Sequence, residues 1–89
     1  MKIFLLEDDY SLNEAIKEII QLENHIVDNF YDGDVAFNNI SNDYDLYILD
    51  INIPNMNGLE VLKNIKNKNP KTKVLIISAN INIDLIREA

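Results

Sequence analysis

Three short apolar runs constrain the fold more than any other feature of this sequence. They are Ile3 to Leu6, Asp45 to Leu49 and Val74 to Ile77. A run of this length, mainly apolar and without polar alternation, is typical of a strand that is covered on both faces. The segments between the runs carry apolar residues at helical spacing. Such alternation predicts an α/β fold, a doubly wound parallel sheet with helices on both faces.

The first helix is expected directly after the first run. Ser11 and Glu14 have the spacing of a capping box, in which each side chain satisfies a main-chain N–H of the first turn. The helix should end near Glu23 and Asn24. Its apolar positions follow helical spacing and are Leu12, Ala15, Ile16, Ile19 and Ile20.

The remaining elements follow from shorter patterns. We expect an outer strand over His25 to Phe30, and a loop from Ile51 to Gly58. Pro70 must end the third helix. The apolar residues of the later helices are Val35, Ala36 and Ile40 in the second, and Leu59, Leu62 and Ile65 in the third; a fourth begins over Asp84 to Ala89.

Length and composition set limits on function. The 89 residues allow one domain, residues 1–89. The chain has no cysteine, which excludes disulfides and thiolate metal sites. Its formal charge is −7, with 15 acidic and 8 basic residues, and it lacks the basic footprint of a nucleic-acid reader. The apolar opening is too short for a signal peptide or a membrane span, so we expect a cytoplasmic protein.

Polar side chains directly follow three of the predicted strands. Glu7 and Asp8 follow the first strand, Asp50 the third and Ser78 the fourth. Ligands of a doubly wound sheet bind at the carboxyl ends of its strands, so we expect these side chains to converge. Converging carboxylates repel one another unless a cation compensates. Hard oxygen donors without His or Cys favour Mg²⁺ or Mn²⁺ over Zn²⁺.

Taken singly, each of these residues has an ordinary explanation. The acidic group Glu7, Asp8 and Asp9 could be a solvated loop or the favourable start of a helix. Asp50 could be a turn residue, and the Ser78 hydroxyl could simply form hydrogen bonds with main-chain groups at the end of a strand. Their combination at strand ends favours a site. There a carboxylate such as Asp50 can attack phosphorus, while Ser78 donates a hydrogen bond to the phosphoryl oxygens.

Three blocks resemble the receiver domain of two-component response regulators. The first is the apolar strand that leads into Glu7 and Asp8. In the second, Asp50 is followed four residues later by Pro54 and eight later by Gly58. The third is the strand that ends in Ser78 and Ala79. The resemblance covers essentially the whole chain. It implies a flavodoxin-like sheet with strand order 2-1-3-4 and, in the complete family fold, a fifth strand.

The resemblance also implies a role for each site residue. Asp50 would accept a phosphoryl group from a phosphohistidine on a partner sensor kinase. Asp8 and Asp50 would bind Mg²⁺ by side chain, Asn52 by its main-chain carbonyl, and Glu7 through water. Ser78 would be the switch hydroxyl. The module would have no turnover activity beyond its own phosphorylation, and any DNA would be bound by a separate effector domain that regulates transcription.

Compared with the family pattern, the chain stops inside the fourth helix. The fifth strand, with the Lys at its end, and the fifth helix would lie beyond residue 89. We therefore expect slow or undetectable phosphorylation of this chain, since that Lys neutralises the phosphoryl group in the family. The fourth strand would be an unpaired apolar edge, which predicts a dimer or a segment-exchanged oligomer.

Two other functions remain open from the sequence. A Mg²⁺-dependent phosphohydrolase of the haloacid-dehalogenase type also uses an Asp nucleophile at a strand end. That class expects a second Asp two residues later as an acid/base, where this chain has Asn52. The other possibility is an interaction or oligomerisation module that keeps the fold and works without phosphorylation.

Overall fold

The fold is taken from a computed structural model that describes residues 1–50, 52–53 and 56–77. Strands and helices alternate along the chain as the sequence predicts, except that two unpredicted two-residue strands follow the third strand and the second helix ends at Asn38, before the predicted Ile40. They are β1 (Lys2–Leu6), α1 (Tyr10–Leu22), β2 (Ile26–Phe30), α2 (Gly33–Asn38), β3 (Leu46–Asp50), β4 (Asn52–Ile53), β5 (Met56–Asn57), α3 (Gly58–Lys68) and β6 (Lys73–Ile77).

The main sheet has the strand order β2-β1-β3-β6, and every pair of neighbouring strands in it is parallel. Since β6 is the fourth of the predicted strands, the expected order 2-1-3-4 is confirmed. Among the described residues, β2 and β6 form the two edges of this sheet. The central strands β1 and β3 are buried over most of their length. Their carboxyl ends therefore lie side by side at the centre of the sheet, on the side where the parallel strands end.

Alternate residues of β1 enter two separate hydrophobic cores, one on each face of the sheet. Phe4 and Leu6 pack on the face covered by α2 and α3, whereas Ile3 and Leu5 pack on the face covered by α1. All four side chains are at most 2% exposed. Full burial of each contributes roughly 1.5–3 kcal/mol to folding. Helices on both faces confirm the doubly wound arrangement.

The start of α1 differs from the sequence prediction. Asp9, and not Ser11, is the N-cap residue, and its Oδ1 accepts a hydrogen bond of 3.0 Å from the N–H of Leu12. The prediction of a capping box formed by Ser11 and Glu14 was therefore wrong, because Ser11 already lies within the first turn of α1. Asp and Ser cap helices about equally well, so spacing alone could not choose between them. The helix ends at Leu22, close to the predicted end.

Only part of the predicted apolar stripe of α1 faces the sheet. Ile16 and Ile20 pack against the core of Ile3, Leu5, Val27 and Ile48. The other predicted members are exposed, namely Leu12, Ala15 and Ile19. Helical periodicity identifies a stripe, but it does not determine how many of its residues are covered.

The segment predicted as a loop from Ile51 to Gly58 contains regular structure. Asn52 and Ile53 pair antiparallel with Asn57 and Met56, and Gly58 is the first residue of α3. Strands of two residues leave no periodic signal in a sequence, which is why the prediction was wrong here. The predicted fourth helix, Asp84 to Ala89, lies outside the described residues.

Candidate functional site

The register of the two central strands brings their acidic residues together. Leu6 of β1 is paired with Leu49 of β3. The next residue on each strand is acidic, Glu7 after Leu6 and Asp50 after Leu49. Because the two strands are parallel, these two residues lie side by side at the carboxyl ends of the strands. The predicted convergence thus follows directly from the pairing of two apolar runs.

Glu7, Asp8 and Asp50 form one acidic cluster. Each residue offers a carboxylate oxygen, and these three oxygens all lie within 4.8 Å of one another. Glu7 is 1% exposed and Asp50 is 3% exposed, whereas Asp8 is open to solvent. The cluster therefore combines two buried carboxylates with a third that is open to solvent. A ligand from solution would meet Asp8 first.

The two carboxyl oxygens of Glu7 have different surroundings. Oε2 accepts a hydrogen bond of 2.9 Å from the main-chain N–H of Asp9. Oε1 is buried and has no hydrogen-bond partner among the described residues. The pKa of the Glu7 carboxyl is raised from its ordinary value of 4.5 to about 7. Burial is the largest cause, and the neighbouring Asp8 and Asp50 also raise the pKa, whereas the hydrogen bond from the Asp9 N–H lowers it. Without a cation, Glu7 is thus half protonated near neutral pH.

These observations test whether the residues fit a divalent cation. An unpartnered buried carboxylate oxygen loses hydrogen-bonding free energy unless a ligand satisfies it. The donors of the cluster are carboxylate oxygens only, the set that Mg²⁺ and Mn²⁺ prefer. A doubly charged ion would offset their mutual repulsion and lower the pKa of Glu7. The residues therefore fit a small hard cation.

Two further predicted site positions can be placed only in part. Asn52 lies two residues after Asp50, and its main chain belongs to the short strand β4. Ser78 lies outside the described residues. Its predecessor Ile77 is paired with Asp50 across β3 and β6. His25 is half-buried at the opposite end of the sheet, where its Nδ1 lies 2.9 Å from the N-terminal amine of Met1.

Sequence reasoning missed Asn13, a buried residue of α1 that contacts the site. Its side-chain amide donates to the main-chain carbonyl of Glu7 over 2.9 Å. Its position continues the inward stripe of Ile16 and Ile20 at helical spacing, and this was the available signal. A polar residue on a buried stripe indicates a hydrogen-bond partner from another element.

Sequence comparison places this chain beside bacterial response regulators. Residues 3–89 match the family described as response regulator receiver domain. Response regulator ArlR of Staphylococcus saprophyticus is 40% identical over 79 residues, which cover 88% of this chain and 36% of ArlR. Transcriptional regulatory protein CrdR of Helicobacter pylori is 43% identical over 67 residues, covering 74% of this chain and 32% of CrdR. The chain spans about a third of the length of these relatives.

Solved structures agree in fold. The non-phosphorylated HemR receiver domain from Leptospira biflexa superposes with a TM-score of 0.87 at 28% identity, covering 97% of this chain and 71% of that one. The response regulator TrrA of Thermotoga maritima, in complex with histidine kinase ThkA, is also similar. In that match the TM-score is 0.80 at 33% identity, with 91% of this chain and 71% of that chain covered.

These matches cover most of the chain, and the solved structures share its fold. No helix within the described ranges is long and apolar enough to cross a membrane. By name, the relatives above are a response regulator and a transcriptional regulatory protein, and the TrrA structure is a complex with a histidine kinase. The acidic cluster lies where members of this fold bind ligands, at the carboxyl ends of the central strands. This chain belongs to the response-regulator receiver domain family.

Proposed function

We propose that this chain is the phosphoacceptor module of a two-component phosphorelay, and that Asp50 is the residue that carries the phosphoryl group. The observation that carries this proposal is the close approach of Glu7, Asp8 and Asp50, whose oxygens lie within 4.8 Å of one another. Asp50 is the member that ends β3 and is nearly buried. A carboxylate in that position is shielded from bulk water and can attack phosphorus when a cation is present.

Mg²⁺ would be held by the side chains of Asp8 and Asp50 and by the main-chain carbonyl of Asn52, with Glu7 reaching it through water. Mn²⁺ would serve in the same place. The unpartnered Oε1 of Glu7 supports this assignment, because a metal-bound water could donate to it. The ion supplies charge neutralisation for the equatorial phosphoryl oxygens. The exposed Asp8 gives the ion access from solution.

The phosphoryl group would come from a phosphohistidine on a partner sensor kinase. One oxygen of Asp50 attacks phosphorus, the bond between phosphorus and the imidazole nitrogen breaks, and the imidazole takes up a proton from solvent. The product is an acyl phosphate on Asp50. The complex of TrrA with ThkA supports this class of partner. His25 is not a donor, because it lies at the end of the sheet away from Asp50.

The signal that phosphorylation sends to an effector domain would depend on Ser78. Its hydroxyl, one residue beyond the end of β6, would turn toward the phosphoryl oxygens and change the surface that contacts an effector domain. The name of CrdR supports regulation of transcription as the output, with DNA bound by a segment other than this chain. The acidic charge of −7 agrees with a module that does not itself bind DNA.

The 89-residue polypeptide would also associate with itself through β6. This strand is an edge of the sheet among the described residues, and Leu75 within it is 51% exposed. An apolar edge strand offers unpaired main-chain groups to a second chain.

Phosphorylation by a small phosphodonor tests the proposed function. The chain is incubated with Mg²⁺ and acetyl phosphate over a long period, and peptide mass spectrometry locates the added group. Asp45→Asn is a matched control, since Asp45 precedes the same strand at its other end. We expect one phosphoryl group on Asp50 in the wild type and in Asp45→Asn, and none in Asp50→Asn or with chelator present. Equal labelling of Asp50→Asn, or a phosphoryl group on a residue other than Asp50 in the wild type, would contradict the proposal.

A further inference from the structure

Asn13 ties together the ends of the two strands that flank it. Its side chain is fully buried. The amide nitrogen Nδ2 donates to the carbonyl of Glu7 over 2.9 Å and to the carbonyl of Phe30 over 2.8 Å. The N–H of Glu7 donates to the same Phe30 carbonyl over 3.1 Å. One side chain of α1 thus closes a small hydrogen-bonded ring over the ends of β1 and β2.

This ring holds both main-chain polar groups of Glu7. Glu7 lies one residue beyond the end of β1, where the regular ladder of the sheet stops. With its N–H bonded to Phe30 and its carbonyl bonded to Asn13, its main-chain orientation is fixed. The direction in which a side chain leaves the main chain follows from that orientation. Asn13 therefore holds the main chain from which the carboxylate of Glu7 projects.

A second asparagine fixes the orientation of the Asn13 amide. Nδ2 of Asn29 donates to Oδ1 of Asn13 over 2.9 Å and lies 2.9 Å from Oε2 of Glu14. Because Oδ1 of Asn13 is occupied as an acceptor, its NH₂ group must face the two carbonyls. The hydroxyl of Tyr31 donates to the same Oε2 of Glu14. Networks of this kind rigidify a buried polar residue when every member is satisfied.

We propose that Asn13 is a positioning residue for the acidic site, which acts by holding the main chain of Glu7 so that its carboxylate faces Asp8 and Asp50. The metal-binding part of this inference rests on the proposed function. The part that concerns the position of Glu7 does not, because it can be measured in the metal-free protein. A residue that only stabilised α1 would change folding without moving Glu7, and this difference can be measured.

The test compares Asn13→Ala with Tyr44→Phe in the whole 89-residue chain. Tyr44→Phe is the control, because it removes a hydrogen bond of 2.7 Å to Asp28 away from the acidic cluster. Three quantities are measured for each: the free energy of unfolding, the Mg²⁺ dissociation constant, and the metal-free exchange rate of the Asp9 amide hydrogen. That hydrogen bonds Oε2 of Glu7, so its exchange reports the position of the carboxylate.

We expect Asn13→Ala to weaken Mg²⁺ binding by about tenfold, as outer residues of metal sites commonly do. It should also speed exchange of the Asp9 amide by about tenfold, beyond what its loss of global stability explains. Tyr44→Phe should change neither quantity beyond its effect on stability. If Asn13→Ala matches Tyr44→Phe in both Mg²⁺ affinity and Asp9 exchange, Asn13 has a structural role only and the inference is overturned.

Two additional variants keep the outcomes separable. If Asn13→Ala does not fold, Asn29→Ala replaces it, since that change removes the hydrogen bond that orients the Asn13 amide and so lets its NH₂ group turn away from the carbonyls of Glu7 and Phe30. Unchanged Asp9 exchange in Asn29→Ala would then overturn the inference. Asp8→Asn tests the metal site itself. If the wild type binds Mg²⁺ no better than Asp8→Asn, the proposed function fails, while Asp9 exchange still decides the role of Asn13.

Discussion

The main-chain N–H of Asp9 donates to Oε2 of Glu7 over 2.9 Å, while Oε1 of the same carboxyl lies buried without a hydrogen-bond partner among the described residues. One oxygen is anchored by the first turn of α1 and the other is available to a ligand. A buried carboxyl in this situation is costly when ionised and uncompensated. The protein tolerates that cost at the ends of β1 and β3, where a cation would remove it.

The first prediction concerns the pH dependence of stability without metal. The pKa of Glu7 is raised from 4.5 when unfolded to about 7 when folded. Between these values the folded chain holds a proton that the unfolded chain has lost, so raising the pH favours unfolding. The stability that the folded chain gains from the raised pKa of Glu7 is fully present below pH 4.5 and is lost as the pH rises through about 7. It amounts to about 3 kcal/mol.

Urea unfolding of the wild type and Glu7→Gln at several pH values checks this prediction. Glutamine resembles the protonated acid and does not titrate. The two proteins should be similar in stability below pH 4.5, and Glu7→Gln should become the more stable as the pH approaches 7 and above. Parallel curves across the whole range would mean that the Glu7 carboxyl has an ordinary pKa in the folded chain.

The second prediction is that Asp50→Asn stabilises the metal-free protein. Two unit charges within 4.8 Å of each other repel by roughly 3 kcal/mol at an effective dielectric constant of about 20. Removing the charge of Asp50 should therefore raise the free energy of unfolding at pH 8 by about 1–3 kcal/mol. Below the pKa of Glu7 the gain should shrink, because the partner is then protonated.

Chemical denaturation in the presence of chelator measures this effect. Glu18→Gln on the exposed side of α1 is the control, since it removes one negative charge outside the cluster. An equal gain in both variants would attribute the effect to net charge alone. A loss of stability in Asp50→Asn would show that the other interactions of this carboxylate outweigh its repulsion of Glu7.

The third prediction separates helix capping from the site. Oδ1 of Asp32 accepts hydrogen bonds from the N–H groups of Asp34 and Val35 at the start of α2, over 2.7 and 3.4 Å. Asp32→Ala should lower the free energy of unfolding by about 1 kcal/mol. Mg²⁺ affinity should not change, because Asp32 is not in the acidic cluster. Calorimetric titration and urea unfolding of the same sample check both statements, and a large change in affinity would extend the site to α2.

The fourth prediction concerns self-association. The exposed Leu75 lies on β6, an edge of the described sheet. Leu75→Lys should shift the 89-residue chain toward monomer, because a charge on an edge strand opposes pairing with another chain. Analytical ultracentrifugation measures the mass of both proteins. A monomeric wild type at high concentration would rule out association through this edge.

The central part of the fold was predictable from sequence because it depends on local patterns. Apolar runs specify β1, β3 and β6, and parallel pairing then places Glu7 beside Asp50 without further information. The partners of Asn13 were not predictable in this way. They are carbonyls at the ends of two strands, and their distance from α1 depends on packing of the whole sheet.

Other differences also have physical causes. Asp9 and Ser11 can both cap a helix, and only the geometry of the chain leaving β1 selects Asp9. The two-residue strands β4 and β5 are too short for periodicity to reveal. For Asn52 and Ser78 the assigned roles remain predictions that rest on the family resemblance.

Calorimetric titration with Mg²⁺ tests the central claim, that carboxylates distant in sequence share one small hard ion. Wild type, Asp8→Asn and Asp50→Asn are compared at pH 8, where Glu7 is mainly ionised. We predict one ion per chain in the wild type, and binding weakened at least about tenfold in each variant. Equal affinity in all three proteins, or no binding to the wild type at millimolar Mg²⁺, would contradict the account.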